Sequence, residues 1–167
     1  VMVRARQEFL EKGYYSCLRD GITELAEKYT SGAVTLLDAG CGEGWYTEGV
    51  KCALESAGRE VRALGIDISR RALMQASKRQ GLELAVASVN ALPVMDGGCS
   101  LLLSVFAPTD EREFCRVLAP GGVLIKASPM ERHLFGLKRA VYDRPYENPP
   151  AKYMPEGFEL LERLDIR

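Results

Sequence analysis

The stretch Asp38-Ala39-Gly40-Cys41-Gly42-Glu43-Gly44 packs two acids and three glycines into seven residues. A short apolar run, residues 33–37, leads into it, and a helical pattern follows. Glycines at a strand-to-helix turn let the backbone bend sharply and approach a ligand closely. Such a ligand lies beyond the carboxyl end of the strand, beside the first turn of the helix. A further carboxylate, Asp67, closes the next predicted strand 23 residues after Gly44. There it can accept hydrogen bonds from both hydroxyls of a ribose. The glycine spacing is G-x-G-x-G, led by an acid. A dinucleotide fingerprint is G-x-G-x-x-G, with its third glycine packing helix on strand. The spacing disfavours a nicotinamide oxidoreductase, which stays open as an alternative.

These residues need a frame. Leu18, Ile22, Leu25 and Tyr29 form the stripe of an amphipathic helix; Gly13 separates it from an earlier turn holding Phe9 and Leu10, and Ser31-Gly32 ends it. Residues 33–37 read as a buried strand. Val50, Ala53, Leu54 and Ala57 give a helical face. Residues 61–66 are strand-like, and Ser69 is the expected N-cap of a helix carrying Ala72, Leu73 and Ala76. Residues 82–87 and 101–106 read as strands, with a loop at Pro93 and Asp96-Gly97-Gly98 between them. Asp110 opens a helix with Phe114, Val117 and Leu118; Pro120-Gly121-Gly122 is an expected turn before a strand at 123–125. Residues 131–142 look helical, with Leu134, Leu137 and Val141 in line. Four prolines make 143–155 irregular, and 158–166 is expected to add one more strand. Strands alternating with helices predict an α/β, Rossmann-like, doubly wound and mostly parallel sheet. One domain is expected: a helical segment, 1–32, over the ligand site and a core, 33–167.

Composition narrows the class. Of 167 residues, 47% are apolar and 27% charged, the mix of a folded domain. The net charge of −1 argues against a strongly basic nucleic-acid binder but leaves room for local patches. No apolar run is long enough to span a membrane. Arg4, Arg6, Glu8, Glu11 and Lys12 interrupt any signal-peptide pattern, so a cytoplasmic location is expected. The first residue is Val, which suggests a trimmed piece of a longer protein. Cys17, Cys41, Cys52, Cys99 and Cys115 include no C-x-x-C pair, so no metal site is expected here. Reduced thiols, mostly in the core, are expected.

The order D-x-G-x-G-x-G followed by an acid after the second strand resembles class I S-adenosylmethionine (SAM) methyltransferases. The resemblance implies that Asp38 orients the methionine amino group of SAM. Gly40, Gly42 and Gly44 would admit its methionine and ribose parts, and Asp67, with Ile68 beside it, would take the ribose. The segment Ala87-Ser88-Val89-Asn90-Ala91-Leu92-Pro93 resembles the loop that flanks adenine, with Ser88 where many relatives carry Asp. Tyr15 and Arg19 would close over the methionine end. Pro120-Gly121-Gly122 before a strand also recurs in this class. A SAM-binding module without catalysis is the non-enzymatic alternative.

Four stretches resemble the bacterial 23S rRNA (guanine-N1)-methyltransferases more closely. They are Arg4-Ala5-Arg6 with Phe9 to Tyr15 and Leu18-Arg19-Asp20; Gly40 to Gly44 with Trp45-Tyr46-Thr47; Phe106-Ala107-Pro108; and Ser128-Pro129 with Arg132-His133-Leu134, Leu137-Lys138 and Tyr142. The resemblance implies methyl transfer to N1 of a guanine in an rRNA hairpin, with S-adenosylhomocysteine as product. Methylation of a small molecule on the same fold is the alternative. Phe106 and Pro108 would wall the guanine pocket. Arg132 and Lys138, within the cationic set Lys126, Arg132, Lys138, Arg139 and Arg144, would meet phosphates. A second cationic set, Arg70, Arg71, Lys78 and Arg79, lies elsewhere. Asp110 and His133 are the candidates for proton handling; for Asp110 a helix-capping role is the simpler reading. Family members carry a zinc-binding module ahead of the first stretch, and a helix and last strand beyond position 167. A core lacking these is expected to bind SAM but to methylate RNA poorly, and its open sheet edge makes a homodimer an expectation.

Overall fold

The structure, a computed structural model, describes residues 2–150 and 154–166. Two helices come first, α1 (Met2–Glu11) and α2 (Ser16–Tyr29). The chain then alternates: β1 (Val34–Ala39), α3 (Trp45–Ser56), β2 (Val61–Asp67), α4 (Arg70–Ala76) and β3 (Leu82–Val86). β4 (Cys99–Val105), α5 (Glu111–Val117), β5 (Leu118–Ala127) and α6 (Phe135–Val141) follow. The five strands form one sheet in the order β3-β2-β1-β4-β5, and every pairing is parallel.

Alternation along each strand builds two cores. On β1, Leu36 faces a cluster with Ile22 and Ala26 of α2 and Val50 and Leu54 of α3. Its neighbour Leu37 faces the opposite cluster, with Phe114 and Val117 of α5. Leu101 and Leu103 of β4 join the first cluster, and Leu102 joins the second. Apolar residues on both faces make β1 and β4 the central strands of a covered parallel sheet. After β1 the chain crosses to one side, and β4 lies on the other. The crevice at the carboxyl ends of β1 and β4 is therefore the switch point of the sheet, where ligands bind in open α/β folds. Two expected caps are in place: Ser69 Oγ accepts from Ala72 N–H, and Asp110 accepts from Glu113 N–H at 3.0 Å.

Four expectations need correction. Residues 118–127 form one strand, because Leu118 pairs with Cys99 and Val123 with Leu101; the turn at Pro120-Gly121-Gly122 is a bulge inside it. Helix α6 begins at Phe135, after a turn over 131–134. The stripe positions Leu137 and Val141 have side chains outside the described residues, and so do 151–153 of the proline-rich segment. Residues 158–166 form no strand. Phe158 packs in the cluster with α5, while Glu162 accepts from Lys28 Nζ and from the Tyr29 hydroxyl of α2 on the other face. The segment thus passes from one face of the sheet to the other, a path that cannot run along the strand direction. Finally, Cys17, Cys52 and Cys115 are exposed; only Cys41 and Cys99 are core thiols, and all five are free. Among the described residues, no helix is long and apolar enough to cross a membrane.

Candidate active site

Gly40, Gly42 and Gly44 all adopt positive φ, at 92°, 58° and 74°. This region is open to glycine and strained for other residues. A Cβ on Gly40 would stand 2.6 Å from the Cβ of Ala107, so Gly40 lets the end of β4 close against the loop. A Cβ on Gly44 would meet Leu82 and Ala76, so this glycine packs helix on sheet. At Gly42 the nearest atoms to a Cβ belong to the Arg6 guanidinium, at 3.8 Å, so that position has room on the crevice side.

The loop is tied down from β2. Gly40 and Cys41 N–H both donate to the Ile66 carbonyl. Asp67 accepts from Gly42 N–H at 2.9 Å with Oδ2 and from Ser69 N–H at 2.7 Å with Oδ1. Each carboxylate oxygen keeps lone-pair capacity for a ligand hydroxyl. Ile68, beside it, is exposed. Ser88 is exposed after β3, where its Oγ accepts from Asn90 N–H at 3.2 Å, and Val89 leans on the α5-side core. Arg116 fixes the rest of that loop by donating to the carbonyls of Leu92 and Val94.

Asp38 lies deeper, only 1% exposed. Thr47 donates its hydroxyl to Oδ2 at 2.5 Å, while the buried Oδ1 has no partner. Burial pushes the carboxyl up to about 7, against the Thr47 hydrogen bond, which lowers it. An unpaired buried carboxylate oxygen at a crevice suits a cationic amine on a ligand, which would satisfy it and draw its titration down.

A cavity of about 230 Å³ opens beside the loop, lined by Arg6, Phe9, Leu10, Tyr15, Tyr46 and Phe106. Tyr15 thus lines the cavity. Its hydroxyl is 2.9 Å from His133 Nε2, and its ring meets Phe106 edge-on. Phe106 has φ 53° and is partly exposed at the end of β4; its ring centroid is 5.5 Å from His133. The structure therefore brings Tyr15, Phe106 and His133 together.

Other candidates stand elsewhere. Asp110 spends its carboxylate on the α5 cap. Arg19 lies over Trp45, 4.2 Å from the ring centroid, and ties α2 to α3 rather than lining the cavity. Pro108 is exposed. Lys138 donates to Asn148 Oδ1 at 2.7 Å and to the Tyr146 carbonyl, so it braces the segment around 146–148. Arg132 is exposed and pairs loosely with Glu147 at 3.9 Å. In the second cationic set, Arg79 is committed to Glu48 and to the Glu43 carbonyl.

Sequence reasoning assigned no site role to Arg6, Phe9, Tyr46 and Thr47. The last two sit in the first turn of α3, directly after the glycines, yet are buried.

Residues 36–122 match the protein family described as methyltransferase domain, slightly more than half of the chain. The chain belongs to this family. The chain is 37% identical over 148 residues to a Bacillus subtilis protein provisionally named 23S rRNA (guanine-N(1)-)-methyltransferase; the match covers 84% of this chain and 52% of that one. It is 32% identical over 144 residues to the 23S rRNA (guanine(748)-N(1))-methyltransferase of Streptomyces fradiae, covering 84% and 50%. The chain spans about half the length of these curated relatives. A Methanococcus maripaludis structure, provisionally described as an S-adenosyl-L-methionine-dependent methyltransferase, superposes with a TM-score of 0.62 at 18% identity, over 76% of this chain and 62% of that one. That likeness establishes the Rossmann-like fold of class I methyltransferases.

Proposed function

We propose that this methyltransferase binds SAM at the Asp38–glycine loop–Asp67 crevice and methylates N1 of a guanine in 23S rRNA. The observation that carries the cofactor is the pairing of a buried, half-satisfied Asp38 with a loop-facing Asp67. The two carboxylates suit the amino group at one end of SAM and the ribose hydroxyls nearer its other end. Arg6, whose guanidinium stands 3.8 Å from a Cβ on Gly42 and 3.6 Å from Glu43, adds a cation beside the loop. Bound SAM supplies a sulfonium methyl group open to in-line displacement.

The residues present would then do three things. Asp38, held by Thr47, orients the amino group. Gly40 and Gly42 leave the loop backbone clear for close approach. Phe106 and Tyr15 wall the acceptor side with aromatic rings, on which a base extruded from an RNA loop can stack. Positioning of this kind supplies much of the rate of a displacement. The acceptor rests on the names of the curated relatives, and Arg132, Arg139 and Arg144 are the exposed cations proposed for phosphates. Acting on ribosomal RNA, it would work in the cytoplasm. A homodimer would use the outer edge of β5, which pairs with no strand among the described residues.

The test is incubation with methyl-labelled SAM and either ribosomal RNA or a metabolite extract. Label recovered as 1-methylguanosine after nucleoside digestion supports the proposal. Label in a small molecule overturns the RNA acceptor.

A further inference from the structure

Guanine N1 carries a proton at neutral pH, so its methylation needs a proton acceptor as well as a methyl donor. Asp110 is spent on a helix cap, and Asp38 and Asp67 belong to the cofactor side. The cavity is lined by aromatic rings together with Leu10 and Arg6, and the carboxylate nearest that lining, Glu43, is buried and faces the Arg6 guanidinium at 3.6 Å. Tyr15 lines the cavity, and behind it His133 Nε2 lies 2.9 Å from the Tyr15 oxygen. The contact spans 118 residues of sequence and joins the start of α2 to the turn before α6.

Resting on the guanine reading above, we infer that Tyr15 and His133 form a proton relay for the acceptor base. The guanine N1–H donates to the Tyr15 oxygen, and the Tyr15 hydroxyl donates to His133 Nε2. As the N1–H bond breaks, its electron pair forms the new N–CH3 bond, and the sulfur–methyl bond breaks with its electron pair left on sulfur. The N1 proton passes to Tyr15, the Tyr15 proton to His133, and the imidazolium later loses its proton to water. Tyr15 touches the base; His133 acts through it.

The surroundings favour this direction. Burial lowers His133, and Lys138 on α6 adds to the effect, so the imidazole is neutral and free to accept at pH 7. Burial raises Tyr15, against the opposing pull of Arg6 on α1, so the phenol keeps its proton to donate. Tyr46 on α3 is raised as well and stays neutral. Phe9 and Phe106, the other rings around Tyr15, are uncharged.

His133 is the only histidine in the sequence, so its imidazole nitrogens stand alone in a 15N NMR spectrum. The relay requires, in the substrate-free protein, a neutral ring at pH 7 with its proton on Nδ1. It also requires a shifted Nε2 resonance in Tyr15→Phe. A charged ring at pH 7, or a proton on Nε2, overturns it. The second arm is single-turnover methylation of a 23S rRNA fragment across pH, with the protein at its native length. Tyr15→Phe and His133→Gln should each slow N1 methylation by roughly 10²–10⁴-fold at pH 7. The deficit should shrink as pH approaches the guanine's own N1 titration, where the substrate sheds its proton unaided. A deficit of equal size at every pH marks a packing role and overturns the relay alone. A wild-type protein that methylates no guanine overturns the acceptor reading, and the relay with it.

Discussion

The hydroxyl of Thr47 donates to one oxygen of Asp38 at 2.5 Å and leaves the other oxygen buried with no partner. The glycine loop separates the two residues in sequence, so helix α3 itself orients the acid at the end of β1. Because burial holds the carboxyl up to about 7, the unliganded site carries Asp38 partly protonated at neutral pH. SAM binding through a cationic amine needs the ionised form. Affinity should therefore rise with pH up to about 7 and then level off, falling by up to about tenfold per pH unit below that. Calorimetry across pH checks this, and Asp38→Asn should bind weakly with a flat profile. For the unliganded fold the sign is opposite. A raised carboxyl contributes stability that is full below its unfolded value of 3.8 and is lost as pH rises through about 7.

Gly40 and Gly42 should fail differently. In Gly40→Ala the new Cβ collides with Ala107 at 2.6 Å in a backbone conformation with φ 92°, so the fold should lose about 1–3 kcal/mol in chemical denaturation. Gly42→Val adds its side chain toward the crevice, where the nearest atoms are those of the Arg6 guanidinium at 3.8 Å. Its main loss should be in SAM affinity, read by calorimetry on protein that still melts cooperatively.

Arg116 and Glu113 hold the loop that follows β3. Glu113 accepts from Leu92 N–H at 2.7 Å, and Arg116 bridges Glu113, Asp96 and the Leu92 and Val94 carbonyls. The Arg116 guanidinium, helped by that backbone donor, holds the Glu113 carboxyl down to about 2. This contribution is complete above pH 4.5 and is lost as pH falls toward 2. Arg116→Ala should speed hydrogen exchange at the Leu92 amide and weaken SAM binding more than it lowers the melting temperature.

How much was legible in the sequence depended on range. The parallel α/β frame, the Ser69 and Asp110 caps, and the Asp38–glycine–Asp67 set follow from local pattern, because turn chemistry and strand ends are local. Arg6 and Phe9 reach the cavity from α1 and Tyr46 from α3, and no spacing rule announces a tertiary meeting of α1 with the start of α3. The segment 158–166 alternates like a strand, yet its apolar residues serve both faces of the sheet as it passes between α5 and α2. Lys138 carries the same charge whether it meets phosphate or braces Asn148, and only the fold separates the two.

The most direct test of the central claim is a calorimetric titration of the protein with SAM and, separately, with NAD(H). Asp67 should take the ribose while it pins Gly42, so the account predicts one SAM site, no heat with NAD(H), and a loss of about 1–3 kcal/mol of SAM affinity in Asp67→Ala. Binding of NAD(H), or unchanged SAM affinity in a folded Asp67→Ala protein, would contradict it.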